Sequence, residues 1–123
     1  MFIVNSDKSM SITRGDAATF WVAAVINGED YHFRPGDIVR FKVFEKKNCD
    51  NVVLKKDTLV TEDLLAVQIY LSGEDTKVGE VISKPTDYWY EIELNPDTHP
   101  QTIVGYDEDG AKVFKVYPEG AEV

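Results

Sequence analysis

The stretch Asp37-Ile-Val-Arg-Phe-Lys-Val-Phe-Glu45 alternates apolar and charged residues with a period of two, and no other feature constrains the fold as tightly. Successive side chains of a strand point to opposite faces, so the pattern buries Val39, Phe41 and Val43 and sends Arg40 and Lys42 to solvent. The same period returns near residue 90, where Tyr88, Tyr90, Ile92 and Leu94 line one face and Trp89, Glu91 and Glu93 the other. Helical spacing is nearly absent. These runs predict sheets with one face on a core and one in water.

Other segments supply the remaining strands. Phe2-Ile-Val4 and Met10-Ser-Ile12 read as a broken first strand. Ala18 to Ile26 is apolar on both sides, with Phe20, Val22, Ala24 and Ile26 opposite Trp21, Ala23 and Val25, which predicts a central strand or one whose outer face is covered. Val52-Val-Leu54 and Thr58-Leu-Val60 read as one interrupted strand. In Leu64 to Leu71, Leu65, Val67, Ile69 and Leu71 are expected inward, although Leu64-Leu-Ala66 also suits a helical turn. Asp107-Glu-Asp109-Gly110 separates two last β runs, 101–106 and 112–117, and reads as the tip of a closing hairpin.

Turn chemistry falls between these runs. Arg14-Gly15-Asp16 and Arg34-Pro35-Gly36-Asp37 each place Gly-Asp directly ahead of a strand, and Asn27-Gly28 is a strong hairpin signal. About seven to nine strands at this spacing indicate an antiparallel β-sandwich or barrel. With 123 residues, one domain spanning 1–123 is expected, and an apolar fraction of 43% beside 28% charged residues is that of a globular chain.

Charge and cysteine usage exclude several functions. The net charge of −9 is uneven: residues 1–61 carry nine basic against eight acidic groups (+1), whereas residues 62–123 carry four against fourteen (−10). Such a surface repels a phosphate backbone, so no nucleic-acid partner is expected. No apolar stretch approaches the ~18 residues that a membrane helix requires, and no secretory signal opens the chain, so no membrane partner is expected either. The lone Cys49 cannot form an internal disulfide and allows synthesis in a reducing cytoplasm.

Chemical motifs are few. Arg14-Gly15-Asp16 spells an integrin-binding tripeptide, but turn chemistry explains the same residues. Asp107 to Gly110 resembles the start of a calcium loop without its later ligands or closing Glu. His32 and His99 have no neighbour at metal-ligand spacing, and nothing supplies Cys49 with an activating partner. No enzyme activity, metal or cofactor is expected. Trp21 and Trp89 are the better clues, because both fall opposite the inward set of their strands and an exposed indole is a frequent interface anchor.

The order of these elements carries a resemblance. The Ile12-Thr-Arg-Gly-Asp16 turn, the Thr19-Phe-Trp-Val22 strand, the Arg34-Pro-Gly-Asp-Ile-Val-Arg-Phe-Lys-Val43 unit and the Asp87-Tyr-Trp-Tyr-Glu-Ile-Glu-Leu94 strand together resemble the N-terminal domain of phage baseplate upper proteins. The resemblance covers most of residues 11–117. It implies an immunoglobulin-like sandwich that serves as a structural piece of a phage or prophage tail, made in the bacterial cytoplasm and carried in the virion. Its implied partners are other tail proteins, with self-association as a further expectation. An extracellular carbohydrate-binding or adhesive β-domain is the alternative, and a cytoplasmic inhibitor using the acidic second half is a third.

Overall fold

Alternation in 37–45 becomes a long strand, and its neighbours assemble around it. The computed structural model describes residues 1–48, 50–108 and 110–119. Within them the strands are β1 (Phe2–Val4), β2 (Met10–Thr13), β3 (Ala18–Val22), β4 (Val25–Ile26), β5 (Glu29–Asp30), β6 (Ile38–Phe44), β7 (Val52–Leu59), β8 (Val67–Leu71), β9 (Thr86–Leu94), β10 (Gln101–Val104) and β11 (Lys112–Tyr117). No helix occurs among the described residues. The large sheet runs β1-β2-β11-β9-β6-β7, with β10 also paired to β9, while β3-β8 and β4-β5 form two small sheets.

The inward sets of the large sheet and of β3-β8 face each other. Val39, Phe41, Val43, Tyr88, Tyr90, Ile92 and Leu94 are buried as expected, and they meet Phe20, Val22, Val67, Ile69 and Leu71 from the small sheet. Phe41 sits at the centre, with ring centroids of Phe20 and Tyr90 both at 5.5 Å and Phe114 at 5.8 Å. Close-packed aromatic edges and faces of this kind add to the burial that drives the two layers together. The fold is all-β and sandwich-like, with mixed sheets.

The purely antiparallel expectation fails at one pair. β2 runs parallel to β11, with Met10 opposite Phe114 and Thr13 opposite Tyr117. Hairpins are local and leave turn signals, whereas a parallel pair is joined only through a long connection, here nearly the whole chain. Eleven strands are present among the described residues rather than seven to nine, because a turn at 5–9 separates β1 from β2 and the 18–26 run divides into β3 and β4, with β5 completing a small hairpin.

The Ala18–Ile26 run is not one central strand. It breaks at Ala23-Ala24, where the Ala24 carbonyl accepts the Tyr31 N–H at 2.8 Å, and the remainder forms the β4-β5 hairpin. Asn27 and Gly28 both have positive φ (55° and 80°), as a type I′ hairpin turn demands. Leu65 is 59% exposed, contrary to its inward place in the alternation, because the chain bends after Leu64 bridges to Phe33 and β8 starts only at Val67. β7 is continuous rather than interrupted.

The closing hairpin is also corrected. β10 and β11 both run antiparallel to β9, pairing with its 92–94 and 86–90 portions, so they lie end to end along one side of it. They do not pair with each other. Asp107 and Gly110 close only a tight excursion between them, with Gly110 donating its N–H to the Asp107 carbonyl at 2.9 Å and φ of 93° at the glycine. Asp109, expected in that turn, lies outside the described residues, as does Cys49.

Candidate functional site

Both Gly-Asp turns are structural joints. In Arg34-Pro35-Gly36-Asp37 the Asp37 N–H reaches the Arg34 carbonyl at 3.0 Å and Gly36 has φ of 97°, which is the type II geometry that Pro then Gly favour. The Asp37 carboxylate accepts from the Tyr31 hydroxyl at 2.7 Å, the Arg34 N–H at 3.0 Å and the Asn95 side-chain amide at 3.1 Å. Burial works to raise the Asp37 pKa, yet these donors outweigh it and hold the carboxyl below its ordinary value. Asn95 in turn accepts the Ile38 N–H at 2.8 Å, so the turn is bolted to the end of β9.

Arg14-Gly15-Asp16 is held as closely. The Arg14 guanidinium is covered, with contacts to Glu119 at 3.3 Å and to the Gly79 carbonyl at 3.4 Å. Gly15 donates its N–H to the buried Thr76 hydroxyl at 3.0 Å, and that hydroxyl donates to the Asp16 carbonyl at 2.8 Å. Gly73 touches the same joint: a Cβ placed there would lie 2.7 Å from the Gly15 carbonyl oxygen. A tripeptide whose arginine is covered and whose backbone is tied to a neighbouring loop does not present itself as a recognition loop.

The two tryptophans part company. Trp89 lies on the outer face of the large sheet, directly across from Phe44 of β6 and Val113 of β11. Phe44 shares that outer face yet is only 3% exposed, and the Lys42 ammonium stands 5.6 Å from its ring centroid. Trp89 itself is half-buried. Around it the face is a ladder of ion pairs: Arg40 forks onto Asp57 at 2.7 and 3.0 Å and reaches Asp97 at 3.1 Å, Lys42 sits between Glu91 and Glu93, and Lys115 lies 3.8 Å from Asp87. The hydrogen bonds that Arg40 donates to Asp57 and Asp97 raise its pKa, and the Arg40 guanidinium lowers that of Asp57. This surface is laced with ion pairs, three cations meeting five carboxylates.

Trp21 is 65% exposed on the opposite side of the molecule, on the outer face of β3-β8. Its cross-strand partner is Gln68, and Thr19 beside it pairs with Tyr70, itself 54% exposed. Thr19, Trp21, Gln68 and Tyr70 thus form a four-residue platform without a charge. The absence extends through the sequence: residues 17–28 and 64–73, which build both strands and their flanks, contain no Asp, Glu, Lys or Arg in a chain that is 28% charged. Trp21 and Trp89 therefore belong to different surfaces, and only the first is open.

Among the described residues β3 pairs with β8 alone, which leaves its other edge without a strand partner there. That edge borders a cleft of about 250 Å³ whose far wall is Val4, Ile103 and Val104 and whose floor includes Met10, Tyr90 and Ile92. Among the described residues Lys8 is the one charged side chain lining it. Burial raises the pKa of Tyr90, whose hydroxyl donates to the Lys8 carbonyl.

His32 and His99 are exposed, and no group of three or more metal-ligating side chains converges among the described residues. Sequence reasoning did not single out Tyr70, Thr76 or Asn95. Tyr70 carried a usable signal, an outward aromatic in an alternating strand; Thr76 and Asn95 sat in polar loops with none. Scans of protein-family models, of curated proteins and of solved structures find no match to this chain.

Proposed function

We propose that this chain is a non-enzymatic assembly protein of a phage or prophage tail baseplate, docking to neighbouring virion proteins through the uncharged outer face of β3-β8. The observation that carries the docking surface is the platform of Thr19, Trp21, Gln68 and Tyr70, open and charge-free in a chain of net charge −9. Aromatic residues cleared of charge are what the centres of protein interfaces are enriched in.

The immunoglobulin-like part of the reading draws support from strand order. Taking β3, β6, β7, β8, β9 and β11 as strands B, C, C′, E, F and G reproduces the B-E pairing of one sheet and the G-F-C-C′ order of the other. The succession of motifs from Ile12 to Leu94 supports the tail assignment. On this reading the protein is made in the bacterial cytoplasm and ends in the virion.

Mass spectrometry of particles purified from the strain encoding the chain is the test. Its peptides are expected at fixed stoichiometry with other tail proteins, and Trp21→Ala should abolish incorporation while Trp89→Ala retains it. Particles that lack the chain refute the tail reading. A glycan-binding surface is the second reading, favoured by aromatic Trp21 and Tyr70 standing beside the amide of Gln68 and the hydroxyl of Thr19. Glycan-array binding lost in Trp21→Ala would select it.

A further inference from the structure

Lys8 stands in a backbone conformation that lysine does not favour. Four non-glycine residues among those described have positive φ, and three of them are asparagines: Asn27, Asn51 and Asn95. Asparagine tolerates the left-handed region because its short amide can bond the local backbone, whereas a lysine at φ of 71° meets the full steric cost of its Cβ. Three hydrogen bonds hold the place. Asn5 gives its N–H to the Ser9 carbonyl at 2.8 Å, Lys8 gives its own to the Asn5 carbonyl at 2.9 Å, and the Tyr90 hydroxyl donates to the Lys8 carbonyl. Strained residues persist only where their surroundings over-determine them, and they cluster at sites that bind or react. Among the described residues the Lys8 ammonium has no ion-pair partner.

The cleft beside β3 gives that lysine a use. Its walls are apolar from Val4 through Phe20 to Val104, and among the described residues no Asp or Glu lines it. We infer that the cleft binds a small free amphiphile, a medium-chain carboxylate whose acyl tail lies against Met10, Phe20 and Ile92 and whose head meets the Lys8 ammonium. Size, wall and charge select this class together. A volume of about 250 Å³ falls just short of the about 300–1,000 Å³ that holds drug-sized ligands, which suits the body of one short chain. The apolar walls favour a hydrocarbon, and the lone cation favours a single anionic head. The net charge of −9 opposes an anion at long range, but physiological salt screens that field beyond about 8 Å, and contact with Lys8 lies inside this distance. The strain at Lys8 then has a reason: Asn or Gly would relax the turn and remove the partner of the head group. This inference concerns a small ligand and does not rest on the tail assignment.

Sodium octanoate, titrated into the purified chain below the concentration at which it forms micelles, provides the test. Trp21 lines the cleft and is open to water, so binding should shift its emission to the blue and saturate, with calorimetry giving one site per chain. Octanol has the same tail without the charge and should bind about tenfold or more weakly, the loss expected for a hydrogen bond to a charged group. Lys8→Asn should weaken octanoate to the same degree while its urea midpoint stays equal or rises, because Asn accepts the positive φ; Lys8→Arg should keep the binding. Vesicles of phosphatidylglycerol should leave the chain in solution. An octanoate titration that never saturates overturns the inference, as does octanol binding as tightly as octanoate or a Lys8→Asn chain that binds as well as the parent. The octanol comparison needs no variant and holds even if Lys8→Asn fails to fold. Binding to the vesicles would make the ligand a membrane lipid and overturn the free acid. Incorporation into particles by a chain that binds no octanoate would sink this inference and leave the tail reading standing.

Discussion

Replacing Thr76 by Val removes one oxygen and keeps the branched shape, and the cost can be worked from the joint it holds. The hydroxyl is fully buried; it accepts the Gly15 N–H at 3.0 Å and donates to the Asp16 carbonyl at 2.8 Å. Each such bond contributes about 1 kcal/mol net, and an orphaned partner costs about 1–3 kcal/mol depending on its access to water. Gly15 and Asp16 are only partly buried, which places each loss near the lower end. The expected destabilisation is therefore about 2–3 kcal/mol. Thr76→Ser keeps the hydroxyl and loses a methyl, for about 1 kcal/mol. Urea denaturation read by circular dichroism measures both, with an unchanged m-value showing that stability rather than compactness moved. If Thr76→Ser proves as costly as Thr76→Val, the site is one of packing and the hydrogen-bonded joint is refuted.

Two further outcomes follow from the turns and the faces. Because the folded pKa of Asp37 is depressed, its contribution to stability is present above the unfolded value near 3.8 and is lost as pH falls through the folded one. Asp37→Asn should flatten this part of the acid limb; denaturation midpoints compared from neutral pH down to about pH 3 check it, and parallel curves would count against the assigned donors. Trp21→Ala should change chain stability by less than about 0.5 kcal/mol, as exposed substitutions do. Trp89→Ala should cost about 1–2 kcal/mol by uncovering Phe44. Equal losses in the two would mean that the faces are not as different as their exposures.

What could be read beforehand was whatever a few consecutive residues decide. β6 and β9 announce their faces through Val39, Phe41, Val43 and Tyr88, Tyr90, Ile92, Leu94, since period two is a property of the strand itself. Asn27-Gly28 and Pro35-Gly36 dictate their turns because only certain residues tolerate the backbone angles. The parallel pairing of β2 with β11 left no local trace, as it joins segments about a hundred residues apart. Trp21 and Trp89 look alike in sequence, each outward in an alternating strand. Their difference comes from neighbours brought in by the fold: Phe44 and Val113 beside one, Thr19, Gln68 and Tyr70 near the other. The reading of 101–117 as a hairpin failed for the same reason, because both runs find β9 before they find each other.

The parallel β2-β11 pair has a mechanical consequence. Four residue pairs from Met10–Phe114 to Thr13–Tyr117, extended by the Arg14 N–H on the Tyr117 carbonyl at 3.0 Å, hold the two strands side by side. A pull entering at the start of β2 and leaving at the end of β11 runs along both strands in opposite senses. Every hydrogen bond between them is then loaded in shear at once, and the pair must slip as a unit instead of opening one rung at a time. A domain strung between two others through these strands would carry tension with its core shielded behind that clamp.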